Sequence, residues 1–121
     1  MTQNSAIVVG ALTVILCCAW VTARGEQGRP MRGQPIYDEY CFRCHGMTGQ
    51  GDGPDARIQL VPPANFQSLR SRSKTDFDLL TIIAYGVAFS PMHGWRGRLT
   101  DEEILEVITY IRTLAPFNPA L

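Results

Sequence analysis

Five residues restrict what this chain can become more than any others: Cys41-Phe42-Arg43-Cys44-His45. Two thiols separated by two residues can add to the two vinyl groups of one porphyrin. The adjacent His is then delivered to the iron on one face, so the spacing reads as a covalent haem-attachment site. Competing readings need different neighbours. A structural zinc site wants a second ligand pair, and His93 is the only other histidine. A thioredoxin-like dithiol belongs to an α/β context, whereas helical patterns dominate this chain. A simple disulfide, or a pair of buried thiols, is the plainest alternative.

The rest of the composition frames that motif. A chain of 121 residues is one domain's worth, and 45% hydrophobic with 18% charged residues is enough apolar material for a packed core. Eleven basic residues balance eleven acidic ones, which argues against a dedicated nucleic-acid binder. Lys74 is the only lysine, so the basic character is almost wholly arginine. The four cysteines fall in two tight pairs, Cys17/Cys18 and Cys41/Cys44, a clustering unsuited to stapling distant segments together.

From Ala6 to Ala23 the chain runs eighteen residues without a charge. That length overlaps both an export signal, with an apolar stretch of roughly 7–15 residues, and a spanning helix of about 17–25. Val21-Thr22-Ala23 offers small residues before Arg24, as a cleavage site would. Against cleavage, no Lys or Arg lies among the first five residues. Arg24, Arg29 and Arg32 follow the run, and for a retained anchor that asymmetry favours a cytoplasmic carboxyl domain, a cue that conflicts with export. Cys17 and Cys18 fail as a lipid-attachment site because bulky Ile15 and Leu16 precede them. Residues 1–23 therefore read as a signal peptide or an N-terminal membrane anchor, with export the firmer expectation. Residues 24–33, rich in Gly, Pro, Gln and Arg, read as a linker, and residues 34–121 as the folded domain.

Within that domain the spacing predicts a short helix from about Gln34 to the first motif cysteine, with Ile36 and Tyr40 on one face. Residues 46–63, dense in Gly, Pro and Asp, form an extended loop. Thr75-Asp76-Phe77-Asp78 resembles a capped helix start, followed by Leu79, Leu80, Ile82 and Ile83 and stopped at Gly86. Pro91, Gly94 and Gly97 keep residues 87–99 irregular. The last helix is the clearest. Thr100 caps it with Glu103 at the box position, and Ile104, Val107, Ile108, Ile111 and Leu114 make one apolar stripe. The expectation is a small all-α domain of three main helices around a haem, preceded by an N-terminal apolar helix.

The chain resembles the class I monohaem c-type cytochromes from about Gln34 to Leu114. The resemblance is carried by CFRCHG at 41–46, GQGDGP at 49–54, PPANF at 62–66, SPMHGW at 90–95 and YIRTL at 110–114. It implies the small cytochrome c fold and one covalent haem c. It also implies thioether bonds from Cys41 and Cys44, His45 as proximal ligand and Met92 as distal ligand. One departure stands out, since His93 occupies the place where the family usually has Pro after that Met.

Loop context and the resemblance together favour Met92. Met1 lies outside the domain and Met31 in the linker, while Met47 is two residues past His45 and too close to reach the opposite iron face. Met92 sits far downstream in a glycine-flanked loop. Core packing is the ordinary fate of a lone Met, and His93 is the rival ligand. Gly46, Gly49, Gly51 and Gly53 allow tight turns and backbone close to the porphyrin. A carbonyl of Pro54, Pro62 or Pro63 would hold the His45 Nδ1–H, with the resemblance leaning to the 62–63 pair. Trp95 and Tyr110 either pack in the core or meet the haem. Arg96 and Arg98 are either solvated or neutralise propionates.

A haem with both axial sites filled by protein leaves the iron no place for substrate, so the expected role is one-electron transfer rather than catalysis. The chain would act as a shuttle or as the haem subunit of a larger oxidoreductase or respiratory complex. Redox proteins would be its partners, in the periplasm, in solution or anchored to the inner membrane. The alternative is a gas-binding or sensing haem protein whose distal ligand is labile.

Overall fold

The computed structural model describes residues 29–119. The apolar run at 6–23, the first half of the linker and Cys17/Cys18 lie outside the described residues. In chain order the elements are α1 (Arg29–Tyr40), α2 (Phe42–His45), a 3-10 turn (Ala56–Ile58), α3 (Leu69–Arg72), α4 (Asp76–Tyr85) and α5 (Asp101–Leu114). No strand forms among these residues; Gly86 with His93, and Arg96 with Leu99, make isolated bridges. The described residues thus form the small all-α domain expected from the sequence. None of the described helices is long and apolar enough to cross a membrane.

The two later helices begin as their sequences dictate. The Thr75 hydroxyl accepts from the Asp78 N–H while the Asp78 carboxylate accepts from the Thr75 N–H, and Thr100 and Glu103 repeat the arrangement at α5. Each reciprocal pair satisfies two of the orphan donors at a helix start. Gly86, at φ 80°, closes α4 with its N–H on the Ile82 carbonyl. Along α5, Ile104, Val107, Ile108 and Ile111 are all buried. Burial of such a side chain is worth about 1.5–3 kcal/mol, so this one stripe supplies much of the core.

Tyr37 and the α5 stripe meet Ile83, Ala84, Trp95 and Leu99 in a single cluster. Tyr37 lies 5.2 Å from the Tyr110 ring and Tyr40 lies 5.1 Å from Trp95, so α1 reaches both α5 and the loop after α4. Arg32 pairs with Glu106 at 3.0 Å along the same seam.

The first helix departs from expectation. It starts at Arg29, not near Gln34, and takes residues 29–33 out of the stretch read as linker. Pro30 and Gly33 looked like linker punctuation. Yet Pro is tolerated in a first helical turn, and Gly33 is the point where α1 meets the α5 backbone. Pro35 lies inside the helix rather than at its start.

Candidate functional site

The attachment motif is one helical turn. The Cys41 N–H donates to Tyr37 at the end of α1, and the His45 N–H donates back to the Cys41 carbonyl at 2.9 Å. Residues three and four apart on a helix share a face. The two thiols and the imidazole are therefore presented together by main-chain geometry.

That turn is closed by the loop that follows. The carbonyls of Arg43, Cys44 and His45 accept from the N–H groups of Asp55, Gly53 and Gly51 at 2.8, 3.2 and 2.9 Å. These are the carbonyls a helix end leaves without partners. Arg43 adds a two-pronged pair to Asp55, with nitrogen–oxygen distances of 2.7 and 2.8 Å. Gly51 has φ 78°, and a Cβ there would lie 2.5 Å from the Pro63 carbonyl oxygen. A Cβ on Gly53 would crowd the Arg43 carbonyl, 2.6 Å from its carbon. Here the glycines bring the loop against the motif's own backbone and against the 63–66 segment.

His45 is 9% exposed, and its Nδ1 lies 3.2 Å from the Ala64 carbonyl oxygen. Burial holds the imidazole below its ordinary pKa, and the bond to Ala64 only partly opposes that effect. A carbonyl oxygen can only accept, so Nδ1–H is the donor to Ala64, which leaves the Nε2 side of the ring for a ligand bond. The acceptor corrects the sequence reading: it is Ala64, and none of Pro54, Pro62 or Pro63. The Pro63 carbonyl instead faces Gly51, one position short of the imidazole.

Cys41 and Cys44 are free thiols, with no bond between them. Burial, with a smaller push from the neighbouring Cys44, raises the Cys41 thiol to about 12. Among the described residues, no group of three or more His, Cys, Asp or Glu side chains is gathered to hold a metal ion. An oriented imidazole beside two unbridged thiols fits a covalently attached haem, whose two vinyl groups would each take up one thiol and whose iron would take one nitrogen ligand.

Met92 is half-buried against the core cluster. Its carbonyl accepts from Val87 at 2.8 Å and its N–H donates to the Ser90 hydroxyl at 3.1 Å, so the loop is pinned around it. His93 is exposed, with its ring 4.4 Å from that of Trp95. Trp95 is a buried core residue, and Tyr110 packs on Tyr37. Arg96 pairs with Asp101 and the Tyr85 hydroxyl, while Arg98 lies over the Trp95 ring at 5.8 Å. Both arginines thus have protein partners.

Two neighbours of the motif have no role in the sequence reading. The buried Tyr37 hydroxyl donates to the Gly46 carbonyl at 2.7 Å, and burial raises its pKa above the ordinary tyrosine range. Phe66 stacks on the His45 imidazole. Its only trace in the sequence is its place at the end of the PPANF stretch.

An all-α domain presenting two thiols and an imidazole from one turn is the arrangement of the c-type cytochromes, a class that binds haem c covalently. The chain belongs to the family described as cytochrome c oxidase, cbb3-type, subunit III, whose model matches residues 28–111. Among solved structures it is similar to a chain of the Kuenenia stuttgartiensis reducing HAO-like protein complex, at 27% identity and a TM-score of 0.69. That match covers 76% of this chain and 46% of the other, so this chain spans under half of its neighbour's length. No curated protein matches the chain.

Proposed function

We propose that this protein is a one-electron carrier holding a single haem c through Cys41 and Cys44, with His45 and Met92 as axial ligands. The observation that carries the reading is the buried, oriented His45 imidazole. Its Nδ1 is engaged by Ala64, and its Nε2 is free on the same turn as two unbridged thiols. When bound, the haem supplies a ferric/ferrous couple, and the chain's part is to hold it, shield it and tune it. Met92 is favoured over His93 as the second ligand because Met92 is half-buried against the core cluster, whereas His93 is exposed with its ring against Trp95. A soft thioether opposite the imidazole raises the potential relative to a second imidazole.

The family description and the neighbour's membership of a protein complex support a role as haem-bearing subunit of a larger oxidoreductase. Covalent haem attachment and the apolar run at 6–23 together support export to the periplasm. That run is then either removed or kept as a tether, which would raise the effective concentration near a membrane partner.

The test is the absorption spectrum of the exported, haem-loaded protein, oxidised and reduced, with and without carbon monoxide. A low-spin spectrum with a methionine–ferric charge-transfer band, indifferent to carbon monoxide, is expected. A high-spin or carbon-monoxide-responsive spectrum would overturn Met92 ligation and favour gas binding. Absence of covalent haem would overturn the whole reading.

A further inference from the structure

We propose that Phe66 is a positioning residue that fixes the plane of the His45 imidazole. The proposal rests on the reading of His45 as an iron ligand. The two rings lie 4.4 Å apart at 22°, a face-to-face stack. The Ala64 carbonyl restrains where Nδ1 points. A single hydrogen bond still leaves the ring able to pivot about the line from donor to acceptor. A flat neighbour against one face removes that pivot.

Phe66 is itself held on several sides. Its N–H donates to the Gly49 carbonyl at 2.7 Å, and the next residue, Gln67, donates from its side chain to the Thr48 carbonyl at 2.9 Å. Gly49, at φ 72°, leaves room for the ring, because a Cβ there would lie 2.6 Å from a Phe66 ring carbon. The Tyr37 ring meets Phe66 edge-on at 6.5 Å and 66°. Phe66 is therefore a wedge set by the 46–49 turn and by α1, with its remaining face on the imidazole. The plane of an axial imidazole sets how its π orbital overlaps the ferric iron. That overlap orders the in-plane spin distribution around the porphyrin.

The test uses the full chain carrying covalent haem and reads the hyperfine-shifted haem methyl resonances of the ferric protein by NMR. Phe66→Tyr keeps the flat face, Phe66→Leu removes it while keeping apolar bulk, and Ile104→Val loosens the core without altering the stack. Phe66→Leu is expected to change the order or spread of the methyl resonances, with Phe66→Tyr and Ile104→Val keeping the parent pattern. A parent pattern in Phe66→Leu would overturn the positioning role while leaving electron transfer intact, as would an equal change in Ile104→Val. A parent protein without low-spin, imidazole-bound haem would overturn both, and its absorption spectrum tells the two failures apart.

Discussion

Gly33 lies against Glu106 so closely that a Cβ on residue 33 would come 2.5 Å from the Glu106 carbonyl carbon. Helices α1 and α5 thus meet backbone to backbone. Replacing Gly by Ala in a helix ordinarily gains about 1 kcal/mol in propensity. Overpacking costs about 1–3 kcal/mol, and here the obstacle is main chain that no rotamer can move aside. Gly33→Ala is expected to lose up to about 2 kcal/mol net, read as a lower denaturant midpoint. A variant as stable as the parent would mean that the helices do not approach this closely.

The two candidate distal ligands are adjacent in sequence, and substitution separates them. Met92→Ala should abolish the methionine–ferric charge-transfer band, make the reduced protein responsive to carbon monoxide and lower the midpoint potential. His93→Ala should leave all three unchanged, because its ring packs on Trp95. The reverse pattern would make His93 the ligand.

Tyr37→Phe keeps the ring contacts with Phe66 and Tyr110 and removes only the hydroxyl that donates to Gly46 at 2.7 Å. The Gly46 carbonyl would retain only a long bond from the Gly49 N–H at 3.4 Å. Leaving a buried acceptor short of a partner costs about 1–3 kcal/mol. A loss near the lower end is expected in equilibrium unfolding, and no loss would show that water or the Gly49 N–H compensates.

The α5 capping box makes a pH prediction. Hydrogen bonds from the Thr100 backbone and hydroxyl hold the Glu103 carboxyl below its ordinary pKa. Between the folded and unfolded pKa values the unfolded chain binds more protons, so stability rises with pH. The contribution is complete above the unfolded value and is lost as pH falls through the folded one. Glu103→Gln should therefore melt at a lower temperature than the parent at neutral pH, with the gap narrowing on acidification through the carboxylate range. A gap independent of pH would assign its effect to something other than ionisation.

Much of this arrangement was legible in the sequence, for identifiable reasons. The Cys41–His45 motif and the α5 stripe are local patterns, and local patterns survive into structure. The Thr75 and Thr100 boxes need only a spacing of three. The start of α1 was not legible, because the residue that makes the helix crossing possible, Gly33, looks like a linker residue until α5 lies against it. The carbonyl under His45 was missed by one position, since a main-chain acceptor leaves no side-chain signature. Phe66 was visible as a letter in a motif, but its stacking on His45 depends on a fold that returns residue 66 to residue 45.

The ion pair that joins α1 to α5 spans 74 positions of sequence. The Met92 loop and the attachment turn both lie between its partners. Closing so long a loop is entropically costly, and the cost grows only as the logarithm of its length. Most of that cost is met once, when the outer helices seat on one another. Whatever loosens either outer helix thereby frees every segment strung between them, so a lesion in α1 or α5 would be felt at the attachment turn.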